Sequence, residues 1–396
     1  MKILTINTRY LGGGGAAYIA NMLHRNINKI EGYSSTFLYG RGEEGDSESI
    51  KITPLNLEYL SALSYRMFAR ECIFNKNIER QIIEADIIHL HNIHGYYINY
   101  VKLFKLIKKH NKKVIWTLHD MWPITGRCAY SLGCEKWKSG CGKCSNMSSY
   151  PKSILDRSNK EFTLKKNIIT SINKDNMIII TPSEWLAKIC EESFLNKFSI
   201  QNIPNGIEHV KVNLKKNELR KKYNILIDKK VVLFVAADTQ DERKGMQYIL
   251  DIIPRNKNYL FISIGKEMDS ISFNNFIQLG YINDRNMINE IYSLADLFVI
   301  PSLDDNFPTT VIEAFANSTP VIGFNQGGIP EQLANDSGII VDIPSAHNLE
   351  NTIKSVLENE NELNKLSINC RLKFENEYTI NKFIERYREI YHKLGE

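Results

Sequence analysis

Residues 301–331 constrain the fold of this chain more than any other stretch, because they read as a loop, a helix, a strand and a second loop. The apolar run 297–300 ahead of them is long enough for a buried strand. Pro301 ends that run, and Pro308 falls near the first turn of the next helix, where a missing N–H has no cost. The succession of strand, helix and strand predicts one repeat of a mostly parallel α/β sheet.

The start of the predicted helix has the features of an anion site. The backbone amides of Thr309 and Thr310 should face the space above the strand ends, and a helix N-terminus favours phosphate. Asp-Asp-Asn at 304–306 offers capping side chains just ahead of the helix. Asp305 and Glu313 flank the amides, eight residues apart. An ordinary strand-to-helix turn with capping acids is the alternative interpretation.

Together, these residues resemble the donor-site motif of retaining glycosyltransferases of family 4, which have the GT-B fold. The family pattern has Pro-Ser, an acid, a spacer, Glu-Ala, a small residue, Pro-Val and a Gly-Gly pair. The matching positions here are Pro301-Ser302, Asp305, Glu313-Ala314, Thr319-Pro320-Val321 and Gly327-Gly328. Two positions depart from the pattern, because Asp305 stands where Glu is usual and Pro308 where Gly is usual. Because the Asp305 side chain is one methylene shorter, its expected contact with the sugar is either shifted or mediated by water.

The composition bounds the class of protein. The chain has 396 residues, enough for two domains, and a hydrophobic content of 43%, which is ordinary for a globular protein. No apolar run approaches the length that crosses a bilayer, and residues 1–9 turn polar too soon for a signal peptide. Seven cysteines, an odd number in a large chain, argue against a secreted disulfide framework. We therefore expect a cytoplasmic protein, whose net charge of +5 is compatible with an anionic substrate or a membrane surface.

A glycine-rich turn lies near the start of the chain, between a predicted strand at 2–6 and a helical pattern that runs to Ile27. The four glycines at 12–15, with Gly13 and Gly14 at the centre, let the backbone approach a ligand at a helix N-terminus. Their spacing is not that of a dinucleotide fingerprint. In the family, the corresponding loop lies over the donor diphosphate or the acceptor, and a close-packed structural turn is the alternative.

Histidines follow two further predicted strands. Residues 86–91 resemble the family's Asp-Ile-Ile-His-Leu-His strand, whose histidines reach the sheet edge that faces the cleft. Buried, hydrogen-bonded side chains are the alternative for His89 and His91. His119 follows the next strand, where the family places a histidine near the donor sugar, so we expect it to contact the sugar or stabilise the transition state. Its alternative role is to cap the strand end with Asp120 as its partner.

Four of the seven cysteines, Cys128, Cys134, Cys141 and Cys144, fall within seventeen residues. The last pair has the C-x-x-C spacing of a metal-binding knuckle. Clustered thiols in a reducing compartment more often hold a metal than form bridges, so we predict a structural zinc clip, with two disulfides or free thiols as alternatives. A four-thiolate zinc site has no open position, so no catalytic role is expected. Resembling sequences with the same His-Asp-x-Trp-Pro opening at 119–123 also carry this cluster.

Residues 102–113 carry six lysines and no acid, beside one apolar stripe. A basic amphipathic helix of this kind can lie on an anionic bilayer. A surface helix with its stripe buried against the sheet is the alternative, and both hold if the lysine face is outermost. Membrane contact is relevant because the first domain of such enzymes holds the acceptor, which is often lipid-linked. Nucleic acid is not an expected partner, since the sequence has no recognised binding module and only a modest charge.

The second half begins with a predicted strand, 231–237, and a loop that reaches Lys244 and the glycine after it. Family members carry Gly-Arg at this strand end and Lys-Gly at the start of the following helix. Lys-Gly is present here, whereas the Gly-Arg positions are Ala236 and Ala237. Lys244 is predicted to face a diphosphate, with Arg243 as a second cation, and a solvated surface charge is the alternative for Arg243.

Both halves alternate strands and helices, which predicts an α/β fold of two doubly wound, Rossmann-like domains, each a mostly parallel sheet covered on both faces. The resemblance implies the GT-B arrangement, in which the domains face a cleft and the C-terminal helix crosses back to the first domain. The predicted domains are an acceptor-side domain at 1–208 with a Cys-rich insertion at about 121–150, a nucleotide-sugar donor domain at 209–378 and the returning helix at 379–396. An interdomain hinge is predicted at the Asn-Gly turn 205–206.

The resemblance implies a retaining hexosyltransferase that moves a sugar from a UDP- or GDP-linked donor to a saccharide or polyprenyl-linked acceptor. It also implies a role in surface polysaccharide biosynthesis, with peripheral contact to the cytoplasmic membrane. The implied roles are ribose binding by Glu313, diphosphate binding by Lys244, Arg243 and the amides of 309–311, and sugar contact by Asp305 and His119. No catalytic metal and no strong general base are expected, because in the front-face mechanism suggested for such enzymes the leaving phosphate takes the acceptor proton. A sugar-nucleotide epimerase of similar shape and a catalytically silent nucleotide-sugar-binding subunit are the alternatives.

Overall fold

The computed structural model describes residues 1–68, 77–268 and 271–395, and at Leu55 and Asn56 it describes the backbone alone. The chain divides into two compact units, which we call unit 1 and unit 2. Unit 1 comprises Met1–Pro204 and Phe383–Glu396, and unit 2 comprises Asn205–Lys382.

Unit 1 is built on a seven-stranded sheet in which neighbouring strands run parallel. Its strands are β1 (Lys2–Arg9), β2 (Ser34–Arg41), β3 (Ser49–Lys51), β4 (Ile87–Leu90), β5 (Lys113–Thr117), β6 (Met177–Thr181) and β7 (Ser199–Asn202). Their order across the sheet is β3-β2-β1-β4-β5-β6-β7. Because the order reverses between β1 and β4, the loops after these two strands open a crevice at the carboxyl edge. β4 and β6 are mostly apolar and are buried along their whole length, as is typical of central parallel strands.

Helices cover the sheet of unit 1. They are α1 (Gly15–Ile27), α2 (Leu55–Phe68), α3 (Ile78–Glu84), α4 (Tyr100–Lys109), α5 (Lys136–Ser139), α6 (Ser158–Ile169) and α7 (Glu184–Glu191). In α4, Leu103, Phe104 and Ile107 are completely buried in the core, whereas its lysines are exposed. The basic segment is therefore a surface helix whose apolar stripe packs on the sheet and is not available to a membrane. Within the described residues, no helix combines the length and the apolar character that a membrane span needs.

Unit 2 contains a six-stranded parallel sheet with helices packed against it. Its strands are β8 (Lys230–Val235), β9 (Tyr259–Ile264), β10 (Phe276–Gln278), β11 (Leu297–Ile300), β12 (Val321–Phe324) and β13 (Ile339–Val341). Its helices are α8 (Lys216–Lys222), α9 (Met246–Ile252), α10 (Arg285–Leu294), α11 (Thr309–Ala316), α12 (Ile329–Leu333), α13 (Ala346–Glu358) and α14 (Glu360–Lys373). The order β10-β9-β8-β11-β12-β13 reverses between β8 and β11, which makes the carboxyl ends of these two strands the switch point of this sheet.

The last helix, α15 (Ile380–Gly395), leads the chain from unit 2 back into unit 1. Its hydroxyls enter the core of unit 1: Tyr387 Oη lies 2.8 Å from Oγ1 of Thr117, and Tyr391 Oη lies 2.6 Å from Nδ1 of His89. Both tyrosines are completely buried. The predicted α/β class, with a C-terminal helix that crosses back to the first half, is therefore confirmed.

Candidate active site

Two loops meet at the switch point of the unit 2 sheet. One follows β8 and carries Arg243 and Lys244, and the other follows β11 and carries Asp305. Because β8 and β11 are neighbours, both loops leave the sheet at the edge where such sheets bind ligands. Nζ of Lys244 lies 2.5 Å from Oδ2 of Asp305, and Nη1 of Arg243 lies 3.7 Å from the same oxygen. The structure thus brings three of the sequence-predicted residues together.

Asp305 is an ionised acid held between two cations. Burial alone would raise the pKa of its carboxyl, but the charges of Lys244 and Arg243 hold that pKa below its usual value. Arg243 is anchored, since Nη1 donates to the carbonyl oxygen of Asp304 at 2.7 Å and Nη2 to Asp241 at 3.1 Å. Its side chain is 12% exposed, so it is not a solvated surface charge, whereas that of Lys244 is 24% exposed. Lys244 is therefore the cation that an incoming anion reaches more readily.

Two glycines allow the neighbouring loops to touch the loop after β11. Gly245 has a φ of +74°, and a Cβ there would collide with the carbonyl oxygen of Pro301. Gly327, after β12, has a φ of +60°, and a Cβ there would collide with the carbonyl oxygen of Asp305. The amide of Gly328 donates to that same oxygen at 3.0 Å. The Lys-Gly and Gly-Gly pairs of the motif therefore fix the backbone that carries Asp305.

The helix α11 begins after Pro308, which is its N-cap residue. Its side chain makes no capping hydrogen bond, and residues 304–306 lie ahead of the N-cap position instead of occupying it. The amide of Val311 is already engaged, because it donates to the carbonyl oxygen of Pro308 at 3.3 Å. Thr309 and Thr310 are half-buried in the first turn, where helix amides lack intrahelical acceptors. These two amides remain the anion-binding donors expected at this helix start.

Glu313 lies four residues after Thr309, on the same face of α11. Its Oε1 accepts from Nη1 of Arg285 at 2.9 Å, and its Oε2 accepts from the hydroxyl of Tyr292 at 3.2 Å. Burial raises the pKa of Glu313, and the charge of Arg285 opposes that rise. The sequence does not mark Arg285 as a site residue. Its position at the start of α10, directly after the N-cap residue Asp284, is the one feature that distinguishes it.

The positions where the family carries Gly-Arg hold no cation here. Ala236 is buried, and a Cβ at Gly265 would collide with its carbonyl oxygen. Ala237 follows it and is exposed. The second positive charge beside Asp305 comes instead from Arg243, six residues further along the chain.

In unit 1, the glycine loop lies between β1 and α1, next to the switch point of that sheet. Gly12, Gly13 and Gly14 have φ values of 68°, 94° and 95°, a region that other residues rarely adopt. A Cβ at Gly13 would collide with the side chain of Arg9, whereas a Cβ at Gly12 or Gly14 would meet open space. The loop is therefore an exposed turn with a guanidinium side chain against it, and sequence reasoning does not single out Arg9.

Three histidines of unit 1 stack at the ends of β4 and β5. The ring centroids of His89 and His91 are 4.3 Å apart, and those of His91 and His119 are 5.2 Å apart. His89 is completely buried, with Nδ1 bonded to Tyr391 and Nε2 to Thr117, so the buried, hydrogen-bonded interpretation holds for it. Nδ1 of His91 lies 2.9 Å from Nε2 of His119. His91 is therefore the residue that orients His119.

The pair of His91 and His119 shares one proton between the two facing nitrogens. Burial lowers the pKa of His119 to about 4 and that of His91 well below 6.5, so both rings are neutral at pH 7. Nε2 of His91 is buried and has no hydrogen-bond partner among the described residues. A bare acceptor is buried at lower cost than an N–H, which favours the tautomer in which His91 donates to His119. His119 then keeps an N–H at Nδ1 that is able to donate to a ligand.

Asp120 pairs with His94 rather than with His119. Nε2 of His94 lies 2.8 Å from Oδ2 of Asp120, and the amide of Trp122 donates to Oδ1 at 2.9 Å. Burial alone would raise the pKa of Asp120, but His94 holds it below its usual value. The loop after β5 is thus fixed by Asp120 and His94, which leaves His119 with His91 as its hydrogen-bond partner.

The four cysteines of the insertion are free thiols: Cys141 is buried, Cys134 is exposed, and Cys128 and Cys144 are half-buried. Among the described residues, three metal-ligating side chains come within 4.8 Å of one another at one place in unit 1, which lies outside this cluster. The thiols therefore do not fit a zinc ion in this arrangement, and the alternative of two disulfides is not present either. The zinc clip stays a prediction from the sequence, which metal analysis of the purified protein tests.

Buried cations hold the insertion in place. Arg127, which is 3% exposed, donates to the carbonyl oxygens of Asn146 at 2.8 Å and Ser149 at 3.1 Å. Lys165, which is 1% exposed, donates to the carbonyl oxygen of Trp122 at 2.7 Å. Hydrogen bonds from charged donors are roughly twice as strong as neutral ones. Both side chains cross-link a segment that has little regular secondary structure of its own.

Solved structures share this architecture. The crystal structure of Anabaena Alr3699/HepE in complex with UDP matches with a TM-score of 0.70 and 13% identity, over 99% of this chain and 100% of that chain. At this identity the match shows the fold alone. Together with the two parallel sheets, it defines the molecule as a GT-B-fold protein, as the sequence predicts.

Sequence relatives and family models carry the identification further. A protein of Escherichia coli K12, whose name assigns it to colanic acid biosynthesis as glycosyl transferase WcaC, is 28% identical over 361 residues, 85% of this chain and 86% of its own length. The UDP-Gal:alpha-D-GlcNAc-diphosphoundecaprenol alpha-1,3-galactosyltransferase of Escherichia coli is 22% identical over 311 residues, 74% of this chain and 78% of its own length. The model described as Glycosyltransferase Family 4 matches residues 12–211, half of the chain, and that described as Glycosyl transferases group 1 matches residues 215–373. The chain therefore belongs to glycosyltransferase family 4, which confirms the resemblance.

Proposed function

We propose that this glycosyltransferase is a retaining enzyme that moves a hexose from a UDP- or GDP-linked donor to a saccharide or polyprenyl-linked acceptor in surface polysaccharide biosynthesis. The observation that carries the proposal is the junction of Lys244, Arg243 and Asp305 at the switch point of unit 2. The relatives support it, since one is named for colanic acid biosynthesis and another for transfer from UDP-Gal to a lipid diphosphate-linked sugar. A structure with the same fold holds UDP.

Donor binding in unit 2 divides between the nucleoside and the diphosphate. The Glu313 carboxylate accepts hydrogen bonds from the ribose hydroxyls, and Arg285 and Tyr292 hold it in place for that contact. The Thr309 and Thr310 amides and the Lys244 ammonium bind the diphosphate, as helix N-termini and lysines do elsewhere. In the free protein the Lys244 ammonium pairs with Asp305, so the donor diphosphate brings a second anion to this cation.

In the proposed reaction, the bond between C1 of the sugar and the terminal phosphate oxygen breaks, and a bond from C1 to the acceptor oxygen forms on the same face. The acceptor proton passes to the departing phosphate oxygen, so atoms and charges balance. Lys244 and Arg243 stabilise the negative charge that grows on the diphosphate. Asp305 accepts hydrogen bonds from sugar hydroxyls, and neutral His119 donates one to the sugar. The acceptor is assigned to unit 1, with peripheral contact to the cytoplasmic face of the membrane.

The test is incubation of purified protein with a panel of nucleotide sugars, with and without an extract of membrane lipids. We expect nucleotide release from one donor that depends on the extract, together with a radiolabelled lipid product. Conversion of the nucleotide sugar without any acceptor would instead identify an epimerase. Binding of nucleotide sugar without turnover in either condition would identify a silent subunit, in line with Asp305 and Ala236 as departures from the family pattern.

A further inference from the structure

The helix α2 turns polar side chains toward the protein. Glu58, the one acid in its sequence, pairs with Lys51 at 2.8 Å and approaches Arg41 at 3.7 Å. The hydroxyl of Ser61 donates to the carbonyl oxygen of Tyr96. These contacts fix the rotation of the helix, because turning it would strip Glu58 of its cations and leave Ser61 without its acceptor. The orientation of α2 is therefore set by its polar side.

The opposite side of α2 presents large apolar side chains to solvent. Their exposed fractions are 87% for Tyr59, 59% for Leu60, 53% for Leu63, 47% for Met67 and 54% for Phe68. Leu60, Leu63 and Met67 follow one another at intervals of three and four residues, so they form one stripe along the helix. A contiguous exposed apolar surface of this kind usually marks a site that contacts another molecule or a lipid bilayer.

Residues next to the end of α2 extend this surface. The amide of Ile154 donates to the carbonyl oxygen of Arg66 at 2.9 Å, which places the 77% exposed Ile154 side chain beside the last turn of α2. Arg66 and Lys152 are exposed cations at its rim. We call this surface, formed by Tyr59, Leu60, Leu63, Met67, Phe68 and Ile154 with Arg66 and Lys152 at its rim, the α2 face.

We propose that the α2 face docks on a lipid bilayer that contains anionic lipids. Its apolar side chains enter the boundary between headgroups and acyl chains, while Arg66 and Lys152 bind lipid phosphates. Charge complementarity favours lipid, because Glu58 is turned inward and the charge that α2 exposes is the cation Arg66, with the exposed Lys152 as a second cation at the rim. Tyr59 has the amphipathic ring that is enriched at membrane interfaces. A second copy of this chain fits less well, since a two-fold contact would press the like-charged rims together.

In this proposal the α2 face is the membrane-facing surface of unit 1, and its docking does not depend on the donor site. The basic helix α4 has no apolar side to insert into a bilayer, because its apolar stripe lies in the core and its lysines alone face outward. The test is flotation with vesicles of phosphatidylethanolamine and phosphatidylglycerol, compared with vesicles of phosphatidylcholine, in the absence of nucleotide sugar. The test variant is Leu60→Ser/Leu63→Ser/Met67→Ser. The control is Leu226→Ser/Ile343→Ser/Ile368→Ser, which removes side chains that are 62%, 70% and 61% exposed in unit 2.

We expect wild type and the control to float with the anionic vesicles and to bind phosphatidylcholine more weakly. Each leucine-sized side chain that leaves water contributes about a tenfold gain in partitioning, so the test variant should lose at least roughly 100-fold. The exchanged side chains are exposed, so circular dichroism and the unfolding midpoint should match wild type. Equal vesicle binding by the test variant would overturn the proposal. So would a wild-type dimer in light scattering that the test variant abolishes, or the absence of vesicle binding by wild type.

Discussion

Replacement of Glu313 by alanine should weaken the binding of UDP or GDP roughly 100-fold while the chain stays folded. The Glu313 side chain is 10% exposed and its carboxylate is oriented by Arg285 and Tyr292, so it offers a fixed, charged acceptor to the ribose. A hydrogen bond to a charged group contributes about 1.5–3 kcal/mol. The two ribose hydroxyls together therefore account for at least about 3 kcal/mol, which corresponds to roughly 100-fold in Kd.

Glu350→Ala is the matched control for this variant. The Glu350 side chain is also 10% exposed, and it pairs with Arg255 at 2.8 Å and Lys354 at 2.8 Å, much as Glu313 pairs with Arg285 at 2.9 Å. Each alanine variant should lose about 1–3 kcal/mol of unfolding free energy, because each leaves a partner without its acceptor. Glu350 lies on α13 beside the residues that precede β9, at the sheet edge opposite the loops after β8 and β11.

The assay is isothermal titration calorimetry with UDP and with GDP, combined with denaturant unfolding of the same protein preparations. Wild type and Glu350→Ala should bind one of the two nucleotides with the same Kd, and Glu313→Ala should bind it roughly 100-fold more weakly. Unchanged affinity in Glu313→Ala would refute the role of this carboxylate. An equal loss of affinity in Glu350→Ala would show that the effect comes from lost stability rather than from a lost ribose contact.

Three further results are expected. Lys244→Met should lower kcat about 100-fold at saturating donor, because the leaving diphosphate loses the cation that faces it, and an unchanged kcat would exclude this role. His119→Phe should lower kcat about tenfold or more, because the Nδ1 donor is lost. Burial lowers the pKa of His119 to about 4, so this ring should cause no break in wild-type kcat between pH 5 and pH 9. Burial raises the pKa of Glu350, but the hydrogen bonds and charges of its neighbouring cations outweigh burial and lower this pKa from 4.5 to about 2. Wild type should therefore lose up to about 3 kcal/mol of unfolding free energy as the pH falls from 4.5 to 2. In acid titrations Glu350→Gln should lack this loss.

The sequence signals that place Lys244 and Asp305 at neighbouring strand ends are local. Lys244 and Asp305 each follow a buried strand, and the small residues around them match one motif in order and spacing. The N-cap residue of α11 is Pro308 and not one of residues 304–306. Asp305 pairs with Lys244, 61 residues away in sequence, which is a contact that local patterns do not predict. The burial of Arg243 likewise depends on how the loops after β8 and β11 pass each other.

In unit 1, long-range contacts decide the features that the sequence does not reveal. His91 and His119 are 28 residues apart, and their hydrogen bond requires β4 and β5 to be neighbours in register. Arg127 secures the insertion through carbonyl oxygens up to 24 residues away, which are contacts that the cysteine spacing does not reveal. The helix α2 contains enough apolar residues to be predicted as a core helix. The ion pairs of Glu58 hold its polar side against the protein, so its apolar side faces solvent.

The proposed enzyme transfers a sugar from a nucleotide donor with retention at the anomeric carbon, so the anomeric configuration of the first product is the decisive measurement. Purified enzyme is supplied with the donor that releases nucleotide in the presence of acceptor, and the new glycosidic linkage is examined by proton NMR before any equilibration. We expect the anomeric carbon of the transferred sugar to have the same configuration as in the nucleotide sugar. A product of opposite configuration would contradict the front-face reaction and the roles assigned to Asp305 and Lys244.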